Sequence, residues 1–214
     1  AFQSKIDSTL RPYSIYIPEN YSLTKKYPML VYLHGSGDDD RILNRTPKIE
    51  DNYIILAPNG RGTSNCFATE EAQTDIIESI NDVINNFRID TSNIILSGFS
   101  MGGYGVYRTY YEHPDLFKAV AIISGHPNLA QKWIEIDEIN FLEYKNMRNF
   151  KNPPIFIYHG RQDMNCPFGL TEKLVQKLKH KGHNVTFIVD DTGHGSMSKS
   201  DRKRYYLWLN RQID

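Results

Sequence analysis

The sequence contains little of what marks several large classes of protein. Only two of its 214 residues are cysteines, Cys66 and Cys166, and so few do not build a disulfide scaffold. No apolar run approaches the roughly 18 residues that a membrane-spanning helix needs. We therefore expect neither a small disulfide-rich protein nor a helical membrane protein.

An excess of charge of one sign is also missing. Lys and Arg together number 25, as do Asp and Glu, so the formal net charge is zero. The sequence has no basic stripe of the kind that would predict contact with nucleic acid. It also has no cluster of His, Cys and carboxylate residues with the spacing of a zinc site. We expect no metal, no cofactor and no nucleic-acid partner.

What the sequence does contain is an alternation of strand and helix patterns. Short apolar runs, most of them closed by Gly or Pro, are typical of strands buried on both faces. These runs lie at residues 13–17, 29–33, 53–57, 94–97, 119–124, 155–158 and 185–189.

Apolar residues at helical spacing follow four of the strands, at 72–87, 103–112, 170–181 and 201–212. Strands that alternate with helices need crossover connections, which predicts an α/β fold with a mostly parallel sheet flanked by helices on both faces. The length suits one such domain, 1–214. Residues 126–152 interrupt the alternation, and they predict a small lid or, as the alternative, a helix with a surface loop.

The segment Gly98-Phe99-Ser100-Met101-Gly102 matches the G-x-S-x-G pattern of a nucleophile elbow. Five residues alone are weak evidence, but this pattern follows a predicted buried strand and precedes a predicted helix, as an elbow requires. The N–H groups and the dipole of the helix N-terminus would favour a developing oxyanion. We therefore predict that Ser100 is a nucleophile.

A serine hydroxyl needs a base to take its proton, and His194 is the best candidate among seven histidines. It follows the last predicted strand in a loop with little side-chain bulk, between Gly193 and Gly195. His34 and His159 precede Gly at strand ends, a position typical of turns. His126 follows a strand at the expected active edge of the sheet and is a candidate for the pocket lining.

The base in turn needs a carboxylate that orients it. Asp163 follows a predicted strand, and the order Ser100, Asp163, His194 is the chain order of α/β hydrolases. Asp190 and Asp191 are rivals, but they lie at the end of the strand that leads to the base rather than on a neighbouring strand. We predict that Asp163 is the acid.

An oxyanion hole requires two backbone N–H donors. We expect one from Met101, the residue after the nucleophile, and the other from the loop His34-Gly35-Ser36-Gly37, in which we favour Ser36. The glycines of this loop allow the backbone to approach a substrate closely.

Ring-bearing side chains near the site are candidates for substrate binding, because an aromatic ring can stack on a phenolic group. The residues that we place in the pocket are Tyr104, His126 and Trp133, with Phe67, Phe141 and Phe168 as further candidates. Packing in the core or at the surface is the alternative for each of them.

Together these motifs resemble the esterase and peptidase group of α/β hydrolases, which is close to feruloyl and acetyl-xylan esterases and to the catalytic domain of prolyl oligopeptidase. The resemblance is carried by residues 89–105, 27–37, 153–163 and 193–195. It covers nearly the whole chain, and 126–152 is the least recognisable part. The resemblance implies an α/β-hydrolase fold and the hydrolysis of carboxylic esters.

The sequence also departs from related groups. Family members commonly carry a hydrophobic residue where Cys166 stands before Pro167, which implies that Cys166 is a small buried apolar side chain. In the family's strand order the loops of Cys66 and Cys166 lie several strands apart, so a disulfide would need long loops that fold over the site. The chain has no propeller like that of prolyl oligopeptidases, and its nucleophile is Ser rather than the Cys of dienelactone hydrolases.

Three functions fit these observations. The first is a serine carboxylesterase that forms an acyl-enzyme on Ser100 and acts on small-molecule or polysaccharide-linked esters, such as feruloyl or acetyl esters of plant polysaccharides. The second is a small serine peptidase or amidase, and the third is a non-catalytic binding module, against which the intact triad argues. Fold and triad do not set the leaving group. The oligomeric state stays open, and an extracellular location is favoured over a cytoplasmic one.

Overall fold

The computed structural model describes residues 1–44, 52–133, 139–147, 150–195 and 197–213. The strands in these residues are β1 Phe2–Gln3, β2 Leu10–Arg11, β3 Tyr13–Tyr16, β4 Tyr27–Leu33, β5 Ile54–Pro58, β6 Ile89–Phe99, β7 Ala119–Ile123, β8 Ile155–Gly160 and β9 Val185–Asp190. Seven of them form one sheet in the order β3-β5-β4-β6-β7-β8-β9. Only the edge strand β3 runs antiparallel to its neighbour within that sheet, so the predicted mostly parallel sheet is confirmed.

Helices cover both faces of this sheet. The α-helices of the described residues are α1 Glu70–Asn86, α2 Met101–Glu112, α3 Leu129–Trp133, α4 Phe168–His180 and α5 Lys199–Asn210. Apolar side chains of α1, α2 and α4 belong to one core cluster, and those of α5 belong to a second cluster with other strand residues. This layering follows from strands that are apolar on both faces and must be covered on both. The predicted α/β-hydrolase architecture is confirmed.

The register of the central strands brings their carboxyl ends to one edge of the sheet. Phe99 of β6 pairs with Ile123 of β7, which pairs with Tyr158 of β8, which pairs with Ile188 of β9. The segments that follow these strands therefore start side by side. Ligands of open α/β sheets bind at this edge.

Side-chain caps set the start of two helices. The hydroxyl of Thr69 accepts a hydrogen bond from the N–H of Ala72 at 3.2 Å, and Glu70 and Glu71 in the first turn of α1 complement the helix dipole. Ser198 caps α5 in the same way, by accepting from the N–H of Asp201. None of the helices in the described part of the chain is long and apolar enough to cross a membrane.

Some element boundaries differ from the predicted ones. β6 begins at Ile89, not at residue 94, because Ile89 pairs with Tyr27 of β4 before a register shift, although the polar residues 90–93 look like a turn. The short strands β1 and β2 were not predicted, and the helix α3 was covered only by the alternative of a helix with a surface loop in 126–152, without bounds. Pairs of two residues and a helix of five carry too little periodicity to be detected from sequence.

The lid predicted at 126–152 stays a prediction, since residues 134–138 and 148–149 lie outside the described residues. The described part of this segment is anchored in the core. Phe141 is fully buried, packs against the rings of Tyr104 and Tyr107 of α2, and donates its N–H to the carbonyl of Pro127.

Candidate active site

Ser100 occupies the sharp turn between β6 and α2. Its φ is +54° and its ψ is −113°, a conformation that residues with a side chain rarely adopt. Gly98 and Gly102 make the turn possible, because a Cβ on Gly98 would overlap the carbonyl of Gly102, and a Cβ on Gly102 would overlap the carbonyl of Leu33. The N–H of Ser100 donates to the carbonyl of Ile123 at 2.9 Å, which holds the turn against β7.

The predicted base and the predicted nucleophile are in direct contact. Nε2 of His194 lies 2.8 Å from Oγ of Ser100, and Nδ1 of the same ring lies 2.8 Å from Oδ2 of Asp163. Because a carboxylate only accepts, Nδ1 carries the proton and donates it to Asp163. Nε2 is then the acceptor that faces the serine hydroxyl. The structure thus brings together the three residues that the sequence singled out.

The carboxylate of Asp163 is buried and satisfied on both oxygens. Oδ1 accepts from the backbone N–H groups of Asn165 at 2.9 Å and Cys166 at 2.7 Å, while Oδ2 faces His194. The rival acids lie elsewhere. Asp190 accepts from the hydroxyl groups of Tyr158 and Thr192, and Asp191 is exposed.

Backbone contacts between two loops set the distance between acid and base. The N–H of Arg161 donates to the carbonyl of Asp190 at 2.8 Å, and the N–H of Gln162 donates to the carbonyl of Thr192 at 3.0 Å. A side chain on Gly160 would overlap that same Thr192 carbonyl, so the close approach requires glycine there. These contacts join the loops that carry Asp163 and His194.

The two predicted oxyanion donors lie beside the nucleophile. Met101 is the first residue of α2, where backbone N–H groups have no partner one turn earlier in the helix. Ser36 lines the same cleft as Ser100. Its loop is held by the N–H of Gly37, which donates to the carbonyl of Thr63 at 2.7 Å, and by the Ser36 hydroxyl, which lies 2.8 Å from that of Ser64.

Phe99, which was not singled out from the sequence, packs against the ring of His194 and lines the cleft. Its ring centroid lies 5.0 Å from that of His194. Side chains on Gly35 or Gly195 would collide with the same ring. The variable residue of the G-x-S-x-G pattern therefore packs against both the oxyanion loop and the base loop. No local pattern in the sequence points to such a contact.

His159 is a second residue whose role the sequence did not reveal. It is fully buried, and its Nε2 donates to the carbonyl of Cys166 at 2.7 Å and lies 3.3 Å from Oδ2 of Asp163. Burial lowers the pKa of His159, so the ring is neutral at pH 7. Its place near the end of β8, the strand that leads to Asp163, is the signal that could have found it.

The triad opens into a cleft of about 600 Å³, a size that suits a small-molecule ligand. Ser36, Ser100 and His194 line one part, and His126, Lys132 and Trp133 line another. Two of the three pocket residues favoured from the sequence, His126 and Trp133, therefore lie in this cleft.

The third, Tyr104, does not line this cleft. It is fully buried, and its hydroxyl donates to the carbonyl of Ile139 at 2.9 Å. It follows the nucleophile by four residues, which is one helical turn, and so it points into the core below α2. Phe67 and Phe141 are likewise buried in the core, and Phe168 stacks on Phe187 of β9.

A model of the family described as "Putative esterase" matches residues 8–196. The chain belongs to this esterase family. The match spans all of Ser36, Ser100, Asp163 and His194, and it confirms the resemblance drawn from the motifs.

Relatives of this esterase-family chain include both esterases and peptidases. The Dipeptidyl-peptidase 5 of Aspergillus oryzae is 24% identical over 91% of this chain and 33% of its own length. The Probable feruloyl esterase C of the same species is 30% identical over 54% of this chain and 46% of its own length. The chain thus spans less than half of the length of either relative.

A solved structure of a ferulic acid esterase aligns with a TM-score of 0.78, at 21% identity, over 99% of this chain and 96% of that one. At that level of identity the likeness shows a shared fold. It agrees with the α/β-hydrolase architecture described above.

Both cysteines of this esterase-family chain are free and buried. Burial raises the pKa of the Cys66 thiol and that of the Cys166 thiol to about 12, so neither is a thiolate at neutral pH. Cys66 packs in the core, and Cys166 lies at the wall of the cleft. Neither cysteine therefore competes with the predicted role of Ser100.

Proposed function

We propose that the chain is a serine carboxylesterase in which Ser100 is the nucleophile, His194 the base and Asp163 the acid. The observation that carries this proposal is the pair of 2.8 Å contacts that join the serine hydroxyl to the imidazole and the imidazole to the carboxylate. We also propose that 1–214 is one catalytic domain, with 126–152 as a small lid over its cleft.

In the acylation step, Nε2 of His194 takes the proton of the Ser100 hydroxyl while Oγ attacks the ester carbonyl. The carbonyl oxygen becomes an oxyanion that accepts from the backbone N–H groups of Met101 and Ser36. His194 then gives its proton to the leaving alkoxide, and the acyl group stays on Ser100. Asp163 stabilises the imidazolium throughout.

In the deacylation step, a water molecule gives a proton to His194 and attacks the acyl carbonyl. The second tetrahedral intermediate uses the same oxyanion donors, and the Ser100 hydroxyl leaves with the proton from His194. The acid is released, and the triad returns to its first state. In each half of the cycle His194 takes up one proton and gives it away again, first to the leaving alcohol and then to Ser100.

The esterase activity is favoured over a peptidase activity by the lining of the cleft. A peptide with a free amino terminus brings an ammonium group, which carboxylates recognise, but the described lining residues include Lys132 and no carboxylate. Esters of phenolic acids fit the half-exposed ring of Trp133. The feruloyl esterase C relative supports aromatic esters as substrates.

A peptidase activity is the second candidate, because the dipeptidyl-peptidase relative aligns over most of this chain. The substrate panel that separates the candidates contains methyl ferulate, 4-nitrophenyl acetate and an aminoacyl 4-nitroanilide. We expect the two esters to have kcat/KM values far above that of the anilide. An anilide that is the best of the three substrates would establish the peptidase instead.

A covalent probe separates both enzymes from a non-catalytic binding module. A fluorophosphonate should add one adduct to the wild-type protein, detected by intact mass, and none to Ser100→Ala. Absence of the adduct from a folded wild-type protein, together with no turnover of the panel, would contradict the proposal.

A further inference from the structure

Helix α3 brings a positive charge to the wall of the cleft. Lys132 is the one side chain among the described lining residues that belongs to Lys, Arg, Asp or Glu. Trp133 is the next residue of the helix, is 48% exposed and lines the same cleft, so a flat apolar ring and an ammonium group face one cavity. The acylation and deacylation steps proposed above use neither side chain.

The core fixes the position of this wall. Leu129 and Ala130 of α3 are buried against the main apolar cluster. The N–H of Leu129 donates to the carbonyl of His126 at 3.2 Å, and the N–H of Lys132 donates to that of Asn128 at 3.4 Å. One continuous turn thus holds both His126 and Lys132 in the cleft.

His126 adds a neutral hydrogen-bond donor to the same wall. Its Nδ1 accepts from the N–H of Asn128 at 3.2 Å, which leaves the ring proton on Nε2. Burial lowers the pKa of His126 to about 4, and the nearby ammonium group of Lys132 acts in the same direction, against the Asp163 carboxylate. His126 is therefore uncharged at neutral pH, while Lys132 is charged.

A cation, an N–H donor and an apolar ring that line one cleft match an acidic group attached to a ring or a chain. We infer that Lys132, His126 and Trp133 bind a carboxylate on the substrate, so that the enzyme prefers esters that carry a negative charge over neutral esters of the same shape. This specificity rests on the proposed function for its reaction, but the binding of the carboxylate does not.

The test compares matched pairs of esters by kcat/KM. On the acyl side, 4-nitrophenyl hydrogen glutarate is paired with 4-nitrophenyl pentanoate, after subtraction of each uncatalysed rate. On the alcohol side, 4-acetoxybenzoate is paired with 4-acetoxybenzamide. Both sides are needed because the carboxylate could belong to the acid or to the alcohol part of the ester.

In at least one pair we expect the charged-to-neutral ratio to fall about three- to fivefold in Lys132→Gln, as for a partly exposed ion pair. Lys132→Glu should lower the ratio by about tenfold, because attraction becomes repulsion. Lys132→Arg should keep the ratio, and 0.5 M salt should reduce it in the wild type. Lys179→Glu is the control. It makes the same change in net charge on an exposed side chain near the C-terminal end of α4.

A second measurement keeps the inference separate from catalysis. Glutarate and benzoate are titrated into Ser100→Ala, and the imidazole signals of His126 are followed by NMR. Binding that is weakened in the double variant with Lys132→Glu, and retained with Lys179→Glu, supports the site.

If the wild type hydrolyses neutral esters and Lys132→Glu leaves the charged-to-neutral ratio of kcat/KM unchanged in both pairs, the inference is wrong. The proposed esterase activity would still stand. Failure of the wild type to hydrolyse any ester would remove the proposed function. The titration would then still decide whether the carboxylate site exists.

Discussion

The imidazole of His159 lies against the carboxylate of Asp163, with Nε2 3.3 Å from Oδ2, and both side chains are fully buried. The same Nε2 donates to the carbonyl of Cys166, whose N–H donates back to Oδ1 of Asp163. Within the described residues, Nδ1 of His159 has no hydrogen-bond partner. The hydrogen bond from the ring N–H to the Cys166 carbonyl therefore fixes the loop that orients Asp163 toward His194.

His159→Leu should lower kcat by about 10- to 100-fold, the usual effect of losing a buried hydrogen bond beside a charged group, and should leave KM nearly unchanged. The reason is that Asp163 would lose a neighbour that fixes its orientation without losing contact with substrate. The measurement is steady-state kinetics across pH with urea unfolding in parallel. His159→Gln keeps a donor and should restore part of kcat, and His180→Leu removes an exposed imidazole as the control.

A purely structural role would give a different pattern. His159→Leu would then lose unfolding free energy, while the folded fraction kept the wild-type kcat and the wild-type pH profile. That result would separate His159 from the proposed triad.

Ser100→Ala should lower kcat by about six orders of magnitude, because the acyl-enzyme can no longer form. Ser97→Ala is the matched control on the same strand. It removes a buried hydroxyl that lies 2.7 Å from the hydroxyl of Tyr205, so it should cost about 1 kcal/mol of stability and leave kcat close to that of the wild type. A Ser100→Ala protein with substantial ester turnover would mean that another group is the nucleophile.

Asp163→Asn should lower kcat by about four orders of magnitude, since an amide can hold His194 in the wrong tautomer and cannot stabilise the imidazolium. Asp191→Asn removes an exposed carboxylate near the same loop and should be nearly neutral. Kinetics on both variants checks the assignment. A severe loss in Asp190→Asn, with Asp163→Asn nearly active, would transfer the role of the acid to Asp190.

Much of the site could be predicted because its signals are local in sequence. The G-x-S-x-G turn, a buried strand before it and a helix after it are enough to place Ser100, and chain order ranks Asp163 above Asp190. The register of the sheet then brings these strand ends to one edge, as expected for parallel strands that share crossover connections.

Contacts made through tertiary packing could not be predicted in this way. The prediction for Tyr104 took its closeness to Ser100 in sequence as closeness to the cleft, but one turn of α2 directs the ring into the core. Lys132 belongs to a helix of only five residues whose position depends on Leu129 and Ala130. Phe99 packs against Gly35 and Gly195, which belong to two loops far apart in the sequence.

Stability should fall as the pH is lowered because of His126. Burial lowers the pKa of His126 from 6.5 to about 4 in the folded protein, whereas in the unfolded chain the ring keeps its ordinary pKa. Between these values the unfolded chain binds the proton and the folded protein does not. The stabilising effect of the neutral ring is therefore complete above pH 6.5 and is lost as the pH falls toward 4.

The expected loss from this one group is about 2 kcal/mol between pH 7 and pH 4.5, measured as the free energy of unfolding in urea. His126→Gln cannot take up that proton, so its unfolding free energy should fall by about 2 kcal/mol less over the same interval. His180→Gln replaces an exposed imidazole and should follow the wild type. Equal acid sensitivity of His126→Gln and the wild type would show that His126 is not held neutral by burial, which would also remove the uncharged donor from the cleft wall formed with Lys132 and Trp133.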